Sequence, residues 1–184
     1  MTGVTDSRSV LNFWFEELSP EQWYRNDPTL DSRIESRFGA THKAGIKGEL
    51  SRWRSSIDGR LAEIIVLDQF SRNLFRGRPE AFAADGMALV LAQEAIEHGK
   101  ADELEPRRRA FLYMPFMHSE SPSIHNTAIE LFSEEDMETN LDYEIRHKLI
   151  IDRFGRYPHR NAILGRKSTA DEISFLKEKG SSFS

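Results

Sequence analysis

Between residues 60 and 75 the chain is apolar on almost every side of a helix, and this stretch limits what the rest can be. At about 100° per residue, Leu61, Ile64, Ile65 and Phe75 fall on one stripe, while Val66, Leu67, Phe70 and Leu74 cover the other side. A helix greasy nearly all round must be surrounded by other elements. Asp68 and Arg72 lie on the first stripe, four residues apart. Stripping water from an unpaired charge is costly, so each needs a polar partner. Two readings stay open: an intrahelical ion pair that organises the fold, or the floor of a polar pocket.

The surrounding sequence also reads as helix. Valine is scarce and period-2 alternation is nowhere sustained, whereas helical spacing recurs. Asp6 is placed to cap a helix running to Leu18, which Pro20 breaks. A second covers 30–47. Asp58-Gly59 starts the apolar one over 60–75. Pro79 suits the first turn of a helix to His98, ended by Gly99. Pro106 opens 107–117, and Ser121-Pro122 leads a helix to Phe132. Thr139-x-x-Asp142 resembles a capping box for 143–154, and Thr169-x-x-Glu172 is a proper one for a last helix ending at Gly180. The expectation is an all-α array of about eight helices. With 184 residues and no linker rich in Pro, Gly or Ser, residues 1–184 read as a single domain.

Composition removes several chemistries. The chain has no cysteine, which excludes disulfide scaffolds, thiol nucleophiles, iron–sulfur clusters and Cys-ligated zinc. No apolar run approaches the ~18–20 residues of a membrane span, and residues 1–9 are too polar for a secretory signal. A cytoplasmic protein with no membrane partner is expected. A net charge of −5 argues against nucleic acid.

Against that acidic background, residues 146–167 hold seven basic residues and one acid, Asp152, for a local charge of +6. Arg153, Arg156, His159, Arg160 and Asn161 cluster here, and arginine offers planar, bidentate hydrogen bonds to carboxylate or phosphate. The alternative is that these arginines meet acids elsewhere in the fold. His118 and Glu120 lie where one helix ends and another begins, a pairing suited to acid–base work or to simple capping. His147 shares an apolar helix face with Tyr143, Ile150 and Phe154, as a hydrogen-bonded core imidazole would. Glu144-x-x-His147 is one half of a di-iron carboxylate pattern, but a second Glu-x-x-His is missing. There is no His-Glu-x-x-His, Walker loop, Gly-x-Ser-x-Gly or Gly-x-Gly-x-x-Gly, so no metal and no cofactor is expected.

Leu67-Asp-Gln-Phe-Ser-Arg-Asn-Leu-Phe-Arg76 resembles a motif of the bacterial family catalogued as domain of unknown function 924. Further pieces agree in order: Val10-Leu-Asn-Phe-Trp-Phe15, Phe82-Ala-Ala-Asp85, Phe111-Leu-Tyr-Met-Pro-Phe-Met-His-Ser-Glu120, His147 through Asn161, Leu164-Gly-Arg166 and Gly180-Ser-Ser-Phe183. The resemblance spans about residues 9–183. It implies an all-helical, tetratricopeptide-like fold and carries no established activity, substrate or cofactor. Asp68, Gln69, Arg72, Asn73, Arg76, His118, Glu120, His147, Arg153, Arg156, His159, Arg160 and Asn161 stand at motif positions. Ser71 departs from an expected proline and Tyr157 from an expected phenylalanine.

The leading functional expectation is a concave Arg/His-rich site for a small anion, a carboxylate or phosphate. Asp68, Arg72, Asn73, Arg76, His147, Arg153, Arg156, His159, Arg160 and Asn161 are its candidate residues. Three alternatives stand beside it: an adaptor for an acidic peptide or protein partner, a hydrolase or lyase using His118 and Glu120, and a purely structural buried network. In the enzyme reading, Glu120 or Asp68 orients His118.

Overall fold

The computed structural model describes residues 3–98, 100–178 and 180–181. Gly99, expected to end a helix, and Ser182 and Phe183 of the last motif lie outside them, as do Met1 and Thr2. Regular structure among the described residues is entirely helical. The elements are α1 (Ser7–Asn12), α2 (Pro20–Trp23), α3 (Pro28–Ile46), α4 (Ile57–Leu74), α5 (Asp85–Glu97), α6 (Pro106–Met117), α7 (Pro122–Phe132), α8 (Glu138–Phe154) and α9 (Ala170–Phe175).

Helix α4 is the centre, packed by α1, α3, α5 and α6. Its buried residues run round the whole circumference: Leu61, Ala62, Ile64, Ile65, Val66, Leu67 and Phe70. Phe70 meets Phe13, Trp14 and Phe38 at ring-centroid distances of 6.2, 5.7 and 5.1 Å. Burying a side chain of that size stabilises by about 1.5–3 kcal/mol.

The start of α4 is set by Ser56, whose hydroxyl accepts the Gly59 N–H, with Asp58 in the first turn. Gly59 is needed for space. A Cβ there would sit 1.9 Å from the Trp53 carbonyl oxygen, in the turn Ser51–Ser55. Gly59→Ala is expected to cost about 1–3 kcal/mol, because main chain rather than a flexible side-chain end stands in the way. Urea denaturation against wild type checks this.

Other boundaries moved for identifiable reasons. The expected helix from Asp6 to Leu18 is α1 followed by a wider π turn over Phe13–Glu17. The wider winding brings three consecutive aromatics, Phe13, Trp14 and Phe15, into the core. Pro79 opens only a short turn, Pro79–Ala81, and α5 starts later, at Asp85. Tertiary contacts dictate that start. Phe82 lies under two guanidinium groups, and the Asp85 carboxylate binds both. Thr139 caps nothing: Met137 is drawn into the core and serves as N-cap, so α8 begins at Glu138. Thr169 and Glu172 form the expected capping box, though α9 ends at Phe175 rather than at Gly180. Gly155 ends α8 at φ 66°, in the left-handed region that favours glycine. No helix among the described residues is long and apolar enough to cross a membrane.

Candidate functional site

Asp68 lies on α4 with no exposed surface. Its Oδ1 accepts from His118 Nδ1 at 2.7 Å and stands 3.0 Å from an Arg72 nitrogen. Its Oδ2 accepts from the Gln69 amide at 2.6 Å. Burial alone would raise this carboxyl's pKa, but the Arg72 guanidinium and the His118 contact hold it far below the usual carboxylate range. Asp68 is therefore ionised. It fixes His118 with Nδ1–H donating, which leaves Nε2 as the basic nitrogen. Burial and the nearby Arg72 charge push His118 below the ordinary histidine value, outweighing Asp68. His118 Nε2 has no hydrogen-bond partner among the described residues.

Arg72 donates two bonds of 3.0 Å to Asp85 on α5. Arg160, in the turn Pro158–Arg160, donates to the same carboxylate at 3.2 Å. The Arg160 guanidinium is sandwiched between the Phe82 and Tyr157 rings, 4.5 and 4.6 Å from their centroids. Its Nε is buried and has no hydrogen-bond partner among the described residues. Asn73, next to Arg72, and Arg76, just past the end of α4, both hold Asp31 of α3.

These groups open onto one cavity of about 260 Å³. Its polar wall is Arg25, Gln69, Arg72, Asn73, Arg76, His118, His147, His159 and Arg160; Trp23, Tyr24, Phe82, Met114 and Ile163 supply apolar surface. No aspartate or glutamate among the described residues lines it. The acids Asp31, Asp68 and Asp85 stand behind Arg76, Arg72 and Arg160 and hold them. The three lining histidines are all pushed toward the neutral form, chiefly by burial: His147 to about 3, His159 to about 4, and His118 in the same direction. The His159 Nδ1 is buried and unpartnered.

The structure brings Arg72, Asn73, Arg76, His118, His147, His159 and Arg160 to one cavity, with Asp68 behind its wall. Four other residues singled out in the sequence lie elsewhere. Arg153 pairs with Asp171 at 2.8 Å, and Arg156 grips Glu172 at 2.7 and 2.9 Å, so both clamp α9 onto the end of α8 instead of lining the cavity. Asn161 is buried as a brace, donating to Ser168 and accepting from Arg166. Glu120 takes two bonds from Arg166, at 2.6 and 2.9 Å, and the Tyr157 N–H at 2.8 Å. Asp68, not Glu120, is the acid that orients His118.

Asp85 and Asp31 were missed as site residues. Asp85 closes the Phe82-Ala-Ala-Asp85 motif, the only signal that could have found it. Beneath the floor a second buried pair joins His125 to Glu144 at 2.6 Å, while the Tyr157 hydroxyl donates to the Met117 carbonyl. Ser71, the other departure from the expected motif, donates to the Leu67 carbonyl and so accepts from His42 Nε2 at 2.8 Å. Both departures supply hydroxyls that satisfy buried partners.

Two comparisons with known proteins cover most of the chain. Residues 10–180 match the profile of a family described as "Bacterial protein of unknown function (DUF924)". A search of curated proteins found no match. Among solved structures, the chain is similar to a protein of unknown function from Agrobacterium tumefaciens. That protein is 34% identical, with 94% of this chain and 97% of that chain covered and a TM-score of 0.89.

Proposed function

This chain belongs to DUF924, a bacterial family of unknown function, and we propose that its cavity binds a small organic anion carrying a carboxylate or phosphate. One observation carries the reading: four arginines and three histidines line a cavity that no aspartate or glutamate among the described residues enters. A bound anion would be drawn to N–H donors whose own counter-charges lie behind them. The rigid Asp68–Arg72–Asp85–Arg160 network holds those donors in place before any ligand arrives, which lowers the ordering cost of binding. The aromatic and aliphatic wall suits the carbon skeleton of such a molecule. The same reading puts the protein in the cytoplasm, whose small molecules are largely phosphates and carboxylates.

Thermal-shift titration with inorganic phosphate, glycerol phosphate and succinate tests it. At least one should raise the melting temperature; a ligand at 100 times its Kd stabilises by about 2.7 kcal/mol. Arg25→Gln with Arg76→Gln should weaken binding about tenfold or more, since bonds to charged groups are worth about 1.5–3 kcal/mol each. Arg153→Gln, outside the cavity, should leave it unchanged. No shift with any of the three anions, or equal affinity in the double variant, rejects the reading.

A further inference from the structure

Resting on that reading, we propose that the cavity hydrolyses esters of small dicarboxylic acids, with His118 as the general base that activates water and Asp68 as its positioning residue. A buried carboxylate holds one imidazole nitrogen at 2.7 Å, the other nitrogen has no partner among the described residues, and the ring lines the anion cavity. That is the base-and-orienter arrangement of acid–base catalysis, complete before substrate binds. Among the described residues no serine, threonine or lysine lines this cavity, and the chain has no cysteine. Water serves as the nucleophile in this proposal.

The layout of the cavity wall supplies the rest. Asp68 and Arg72 lie one turn apart on α4, about 6 Å along its axis, and Arg76 follows two residues past the helix end, held by Asp31. His118 pairs with Asp68, and Arg160 shares Asp85 with Arg72. A substrate lying along this wall would place its free carboxylate toward Arg76. Its ester carbonyl would then lie beside His118, with the Arg72 and Arg160 donors at hand.

In the reaction, a water O–H bond breaks and its proton passes to His118 Nε2. The water oxygen bonds the carbonyl carbon, and the C=O π pair moves onto the carbonyl oxygen, where guanidinium N–H groups stabilise the charge. The tetrahedral species then re-forms C=O and breaks the C–O bond to the alcohol. The departing alkoxide takes its proton from protonated His118. Diacid and alcohol are the products, and no oxidant, reductant or further reactant is needed.

The test uses 4-nitrophenyl hydrogen succinate as probe and 4-nitrophenyl butyrate as its uncharged counterpart. Wild type should release nitrophenolate faster than buffer, and faster from the succinate ester than from the butyrate. His118→Asn should lower kcat about 100-fold or more while its succinate-induced thermal shift stays within a few-fold of wild type. Asp68→Asn should lower kcat with KM little changed; a merely structural role would lower folded yield and leave kcat per folded molecule intact. His118→Gln repeats the first test should the Asn variant fail to fold. Wild-type release no faster than buffer, full activity in both His118 variants, or equal rates on the two esters overturns the inference. A succinate-induced shift without hydrolysis defeats this inference alone and leaves the anion site standing.

Discussion

Asp85→Ala is expected to lose about 3–5 kcal/mol of stability, the usual cost of removing one partner from a buried ion pair. For a chain of this size that lowers the melting temperature by about 6–20 °C. The reason is that one carboxylate serves two guanidinium groups. Asp85 takes both terminal nitrogens of Arg72 at 3.0 Å and Arg160 at 3.2 Å. Arg160 is 6% exposed and already has one unpartnered nitrogen. Without Asp85 its charge is buried with no acid in contact, beside the like charge of Arg72. Asp85→Asn keeps an acceptor but not the charge and should fall between the variant and wild type. Breaking the exposed Arg153–Asp171 pair should cost less than about 1 kcal/mol, because solvent screens it. Melting curves of the three variants settle the order. An Asp85→Ala protein within about 1 kcal/mol of wild type would show that these arginines find water or another acid.

Acidification from pH 7 to pH 5 is expected to remove about 4 kcal/mol through His42 and His147 alone. Burial pushes His42 down to about 4 and His147 down to about 3. In the unfolded chain both titrate near 6.5. Below that pH the unfolded state takes up protons that the folded state refuses, so stability falls as pH falls. Each group contributes about 1.4 kcal/mol per pH unit, or about 2 kcal/mol by pH 5. The loss continues until the folded protein itself titrates, near 4 for His42 and near 3 for His147. Glu144, raised by burial, works the other way and gains a little stability on acidification. Asp68, held low, adds its own loss only below the ordinary aspartate range. Urea midpoints between pH 7 and pH 5 measure the slope. His42→Gln should remove about 2 kcal/mol of the loss while keeping a donor for Ser71. A flat profile over that range would contradict burial of neutral imidazoles.

Helical periodicity predicted the all-α class, and α4 as its buried centre, because a stripe of leucine and isoleucine on both sides of a helix admits one environment. Prolines 106 and 122 marked helix starts that the structure keeps, since proline acts through local sterics. Local rules failed where a distant partner decided. Pro79 did not carry a helix to His98, because Asp85 and Phe82 answer to Arg72 and Arg160. Thr139 did not cap, because Met137 went to the core.

The candidate site was half legible for the same reason. Asp68 and Arg72 are four apart on one helix, so their 3.0 Å pair was readable from spacing. That His118, fifty residues later, would choose Asp68 over Glu120 was not. Residue types and helical period by themselves determined the architecture and the list of charged groups in want of partners. Only the tertiary structure decided which acid each arginine met. Arg153 and Arg156 were spent on α9, while Arg72 and Arg160 were gathered on Asp85 at a cavity wall. Charge pairing reaches only a few ångströms, and the linear chain does not say which side chains packing will bring that close.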